Sequence, residues 1–110
     1  MKKLLVLSFI LFAAISSSYA SGYFYFDNAN PIYQEISVNE TCNYSIAAHL
    51  DWVDNSNGQV ILYDLTNNTT LFSYVGHDLE VGYSSSGTLG DVAVYVAMPN
   101  GYCSVIFGWW

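Results

Sequence analysis

Polar and apolar positions alternate with a period close to two along most of the chain after residue 20, which is the periodicity of strands rather than helices. From Tyr44 to Val53 one face takes Tyr44, Ile46, Ala48, Leu50 and Trp52, and the other takes Ser45, Ala47, His49, Asp51 and Val53. That is the pattern of a half-buried strand. The same reading predicts strands over 32–38, 59–65, 70–75, 78–83, 91–98 and 102–109, all rich in Val, Ile, Tyr, Phe and Thr. Turn-forming clusters separate them at Asp54-Asn55-Ser56-Asn57-Gly58, Thr66-Asn67-Asn68, Ser84-Ser85-Ser86-Gly87 and Pro99-Asn100-Gly101. About seven or eight short strands with brief connections predict an all-β fold, an antiparallel β-sandwich of jelly-roll-like or immunoglobulin-like topology.

The first 20 residues follow a different rule. Lys2 and Lys3 precede an apolar run from Leu4 to Ile15, and Ser18-Tyr19-Ala20 places small residues where a signal peptidase reads them. The run is shorter than the roughly 18 apolar residues a membrane helix needs. Residues 1–20 therefore read as a secretion signal and 21–110 as a single domain with no transmembrane segment, secreted to the extracellular side.

Both basic residues of the chain lie in that signal, so 21–110 carries nine acidic residues and neither Lys nor Arg. Nucleic-acid binding is excluded as an expectation, because its counterion-release term needs cationic side chains. An anionic membrane surface repels such a chain for the same reason.

Secretion also gives the cysteines a meaning. Cys42 keeps phase with Tyr44, Ile46 and Leu50, and Cys103 with Val105, Phe107 and Trp109, so both fall on apolar faces. In an oxidising compartment the expectation is one disulfide, Cys42 to Cys103, closing a loop of about 60 residues worth on the order of 4 kcal/mol.

The succession of strands from Tyr33 to Phe107 resembles the bacterial pre-peptidase C-terminal domain, a secreted jelly-roll-like β-sandwich. Gln59-Val60-Ile61-Leu62-Tyr63-Asp64 stands where that family has a D-L-D-L-Y-L-type strand, without its acidic residues. Gly90-Asp91-Val92-Ala93-Val94-Tyr95-Val96 stands where it has G-x-Y-x-V-x-V, without the tyrosine at the third place. The resemblance implies a non-catalytic accessory or binding role.

Three sets of side chains are candidates for chemistry. Asp51, Asp54, Asn55 and Asn57 supply hard oxygens just ahead of Gly58, a ligand type suited to Ca²⁺, although the spacing is not that of an EF-hand. A solvated turn whose Asp and Asn bond their own backbone explains the same letters. His49 with Asp51, and His77 with Asp78, supply the elements of an acid–base pair, but no nucleophile motif accompanies them, and no enzyme is expected. Tyr23, Phe24, Tyr25 and Phe26 behind the cleavage site, and Trp109 and Trp110 at the other end, form two aromatic clusters. In strands alternate members of each must point outward unless the two ends pair and stack. The binding residues expected from this are Tyr23, Tyr25, Trp109 and Trp110, in a secreted binding or surface-structural module for extracellular carbohydrate or protein. The alternative is a small secreted effector, an inhibitor or toxin, and no cofactor is expected other than the candidate calcium.

Overall fold

The computed structural model describes residues 22–52, 54 and 56–110, so the predicted signal and Asn55 lie outside the described residues. Six strands account for almost all of them: β1 Gly22–Ala29, β2 Ile32–Trp52, β3 Gly58–Asp64, β4 Thr69–Gly76, β5 Glu80–Ala97 and β6 Gly101–Trp109. They form one antiparallel sheet in the order β1-β6-β2-β5-β3-β4.

The strand count corrects the expectation of seven or eight. Two predicted pairs of short strands are each one long strand, β2 of 21 residues and β5 of 18. The Ser84 to Gly87 cluster, predicted as a loop, lies inside β5, where Ser84, Ser85 and Ser86 stand opposite Ser45, Tyr44 and Asn43 of β2. Turn propensity is a weak local preference, and a complete ladder of backbone hydrogen bonds with a neighbour overrides it.

β2 and β5 run together as a two-stranded ribbon from Ile32↔Val96 to His49↔Glu80. β6 joins β2 only over Tyr44 to Trp52, with β1 outside it. β3 joins β5 only over Val92 to Ala97, with β4 outside it. The ribbon is irregular between Ser37 and Glu40, where Asn39 takes φ 55°.

The two ends of the ribbon cover each other. The Cys103 thiol of β6 donates to the Val96 carbonyl of β5 at 3.7 Å, although β5 and β6 are not neighbours in the sheet. A Cβ on Gly58 of β3 would come within 2.9 Å of the Met98 sulfur and 3.0 Å of a Leu50 methyl, so only glycine leaves room for that approach. Leu50, Val60, Leu62, Val92, Val96 and Met98 are wholly buried, and among the described residues it is strands and their short connections that bury them. One apolar face of the sheet is thus folded over itself into a single core.

That core contains both thiols, unbonded to each other. Cys103 stands opposite Leu50, eight residues beyond Cys42 on the same strand, or roughly 26 Å at about 3.3 Å per residue. A disulfide needs Cα atoms within about 7 Å. The expected bridge is therefore wrong, because sharing a face specifies direction and not proximity.

Candidate functional site

β1 enters the sheet at its edge and pairs with β6, so the two aromatic clusters meet: Gly22↔Trp109, Tyr23↔Gly108, Phe24↔Phe107 and Tyr25↔Ile106. Alternation then divides them between two faces. Phe24 stacks on Trp109 at 6.0 Å yet stays 40% exposed at the sheet edge, and Trp109 leans on Phe107 at 5.9 Å against the core. The Trp109 ring also lies over Gly22, where a Cβ would meet it at 2.8 Å. Tyr23 and Tyr25 project to the opposite face, 40% and 36% exposed. Trp110 follows Trp109 and keeps phase with Gly108 and Ile106, on the tyrosine side, while its backbone pairs with Asn43 in both directions at 2.9 Å. Of the four expected binding residues, Tyr23, Tyr25 and Trp110 share a face, and Trp109 is a partly buried packing residue.

Along that outer face a row runs across three strands, Ser104 of β6, His49 of β2 and Glu80 of β5. The His49 Nδ1 and the Glu80 carboxylate meet at 2.6 Å. Tyr25, Ala47 and Ile106 join these three around a shallow hollow. Ser45, two residues from Ala47 on the same face, is buried, and its hydroxyl has no hydrogen-bond partner among the described residues. His49 is therefore committed to Glu80 and not to Asp51, which stands opposite Tyr102. Ser104 is nearly fully buried, and no hydrogen bond joins it to His49 among the described residues.

The predicted oxygen ligands are dispersed. Asp54 accepts from the Ser56 backbone N–H at 3.3 Å and from the Asn100 amide at 3.0 Å. The bonds from Ser56 first, and then Asn100, hold its carboxyl below the usual aspartate range. Asn57 Oδ1 turns to His77 Nδ1 at 3.3 Å, and the Trp52 indole N–H donates to the His77 carbonyl at 2.6 Å. Asp51 belongs to β2 and Asn55 is outside the described residues, among which no group of three His, Cys, Asp or Glu is placed to hold a metal ion.

A second tyrosine face was missed in the sequence. On the outer side of β2, β5 and β3, Tyr33 stands opposite Tyr95 and Tyr95 opposite Ile61, while the next row holds Glu35, Ala93 and Tyr63. Tyr33 is 55% exposed and donates its hydroxyl to Glu35 at 2.7 Å. That bond and the nearby carboxylate charge raise the phenol pKa. Beside Tyr95 lies a groove of about 340 Å³ lined by Asn57, Gln59, Val75, Ala97 and Pro99. The signal available was parity alone: Tyr33 keeps phase with Glu35, and Tyr95 with Ala93 and Ala97, against the valines between them.

No protein-family model matches the chain, and no curated protein matches it. Among solved structures it is similar to one described under "Bacillus endospore appendages form a novel family of disulfide-linked pili", at 8% identity over 82% of this chain and 84% of that one, with a TM-score of 0.44. It is similar to a Streptococcus pneumoniae fucose binding module, SpX-3, at 15% identity over 80% of this chain and 71% of the other, with a TM-score of 0.39. It is also similar to part of a ruminal GH26 endo-β-1,4-mannanase, at 18% identity over 84% of this chain but 19% of the enzyme, with a TM-score of 0.40.

Proposed function

We propose that the chain is a secreted, non-catalytic binding module, a β-sandwich of the jelly-roll-like or immunoglobulin-like kind, that takes an extracellular carbohydrate or protein on the β1 edge. The observation that supports this reading is the exposure of Tyr23 and Tyr25 on one face of an edge strand, with Trp110 in phase beside them. Tyrosine and tryptophan rings present a broad apolar surface with a polar tip, which suits contact with a partner that is partly wet. Export is proposed from the basic and apolar run of residues 1–20. Catalysis is not part of the reading, since the one histidine on this face is bonded to Glu80 and its serine neighbour is buried.

The test is binding of residues 21–110 to purified extracellular glycans and proteins, compared with Tyr25→Ala and Trp110→Ala. Each substitution is expected to weaken binding by more than about 1 kcal/mol, as truncating an aromatic anchor does. Thermal stability should change less than binding. Unaltered affinity in both folded variants rejects this patch as the binding surface.

A further inference from the structure

We propose that the outer face of β2, β5 and β3, with Tyr33 and Tyr95 at its centre, is a second binding site, and that it takes a neutral saccharide. The inference rests on the reading above only in that the molecule acts by binding. Tyr33 and Tyr95 are directly opposed on adjacent strands, so their Cβ atoms lie about 5 Å apart and both side chains leave the same face. Tyr63 stands diagonally beyond Tyr95, next to Ala93. Alanines at 93 and 97 flank Tyr95 on its own face, and beside Ala97 the small side chain opens onto the 340 Å³ groove. The face therefore sets two tyrosines side by side at the rim of one groove, on the scale of a sugar unit rather than of a protein surface.

Its polar groups are those a polyol needs. Gln59 and Asn57 at the groove and Glu35 beside Tyr33 offer donors and acceptors around an aromatic floor, the usual composition of a small-molecule site. The hydrogen bond to Glu35 holds the Tyr33 ring in one orientation before any ligand arrives, which reduces the entropy lost on binding. C–H bonds on a sugar face carry partial positive charge and fit the negative face of a tyrosine ring. Charge selects among saccharides. With nine carboxylates and no Lys or Arg in 21–110, acidic polysaccharides are repelled and have no cation to pair with, leaving neutral ones.

The experiment titrates residues 21–110 with neutral manno-, xylo-, cello- and galacto-oligosaccharides, with polygalacturonate as the acidic comparison, in wild type, Tyr33→Ala, Tyr95→Phe, Tyr95→Ala and Tyr25→Ala. At least one neutral oligosaccharide should bind and polygalacturonate should not. Tyr33→Ala and Tyr95→Ala should each lower the affinity at least about fivefold. Tyr95→Phe, which keeps the ring, should stay within about twofold, and Tyr25→Ala should have no effect. Tyr33 is so exposed that its alanine variant should fold even where Tyr95→Ala does not. If no neutral oligosaccharide binds, or if binding survives Tyr33→Ala and fails in Tyr25→Ala, the inference is overturned. A protein ligand lost on Tyr25→Ala, with no saccharide bound, overturns it while leaving the proposed function intact. Saccharide binding that needs Tyr33 and ignores Tyr25 sustains it and leaves the β1 edge as the place for a protein partner.

Discussion

Cys103 shows how much one side chain depends on what surrounds it. Burial alone pushes its thiol up to about 11, and burial likewise raises Cys42. A thiol kept protonated in the core is unreactive, so neither cysteine should react with a thiol reagent in the native protein, while both should react in denaturant. A reductant should leave the thermal midpoint unchanged, which separates two thiols from a bridge directly. The raised pKa also sets a pH dependence. The unfolded chain loses the Cys103 proton from about pH 9, and the folded chain only near 11. Stability is therefore whole below 9 and falls as pH rises through that window, and Cys103→Ala should remove that part of the alkaline loss. Asp54 has the opposite sign. Its depressed carboxyl contributes above the ordinary aspartate range and ceases to contribute as the pH falls through its lowered value.

The long ribbon of β2 and β5 has one break in its register at the scale of elements. Asn39 occupies the left-handed region inside the irregular stretch between Ser37 and Glu40, at the junction of the two halves of β2. Asparagine tolerates that conformation because its short polar side chain bonds locally, and a β-branched residue does not. Asn39→Gly should be close to neutral, whereas Asn39→Val should cost about 1–2 kcal/mol in chemical denaturation. Equal stability of the two would mean that the left-handed conformation at Asn39 is not required by the ribbon. The strands β3, β4 and β6 were legible in the sequence, since each is a short alternating run closed by real turns in which Asn68 and Asn100 take positive φ. The continuity of β2 and β5 was not, because period two says which way a side chain points and nothing about where the chain stops pairing. The same limit governed the sites. Parity alone separates Tyr23 and Tyr25 from Phe24, and Trp110 from Trp109, but the meeting of Tyr33 with Tyr95 and of His49 with Glu80 depends on a register between distant segments. The cysteines failed for that reason too: both faces were read correctly and the separation along β2 was invisible.

Charge is the property of the molecule taken whole. With no Lys or Arg to pair with, most of these carboxylates take hydroxyl, amide or backbone donors: Glu35 takes Tyr33, Asp64 takes the backbone and amide of Asn67, and Asp91 takes the Ser37 hydroxyl, while Glu80 meets the imidazole of His49. Hydroxyl, amide and backbone donors orient a carboxylate without cancelling its charge, so long-range repulsion among the acidic groups stands. Dissolved salt screens it over about 8–10 Å near physiological ionic strength, and the thermal midpoint should climb as NaCl is added and then level off. Calcium adds a second question to the same measurement. A site built on Asp51, Asp54 and the neighbouring asparagines must take Asp54 from Ser56 and Asn100, and Asn57 from His77, before it can coordinate an ion. The geometry therefore predicts that CaCl₂ and NaCl at matched ionic strength raise the midpoint equally, and that Asp54→Ala does not change the difference between them. A larger rise with CaCl₂ that disappears in Asp54→Ala would show that the loop rearranges around the ion, and that its turn hydrogen bonds are weaker than the charge they leave uncompensated.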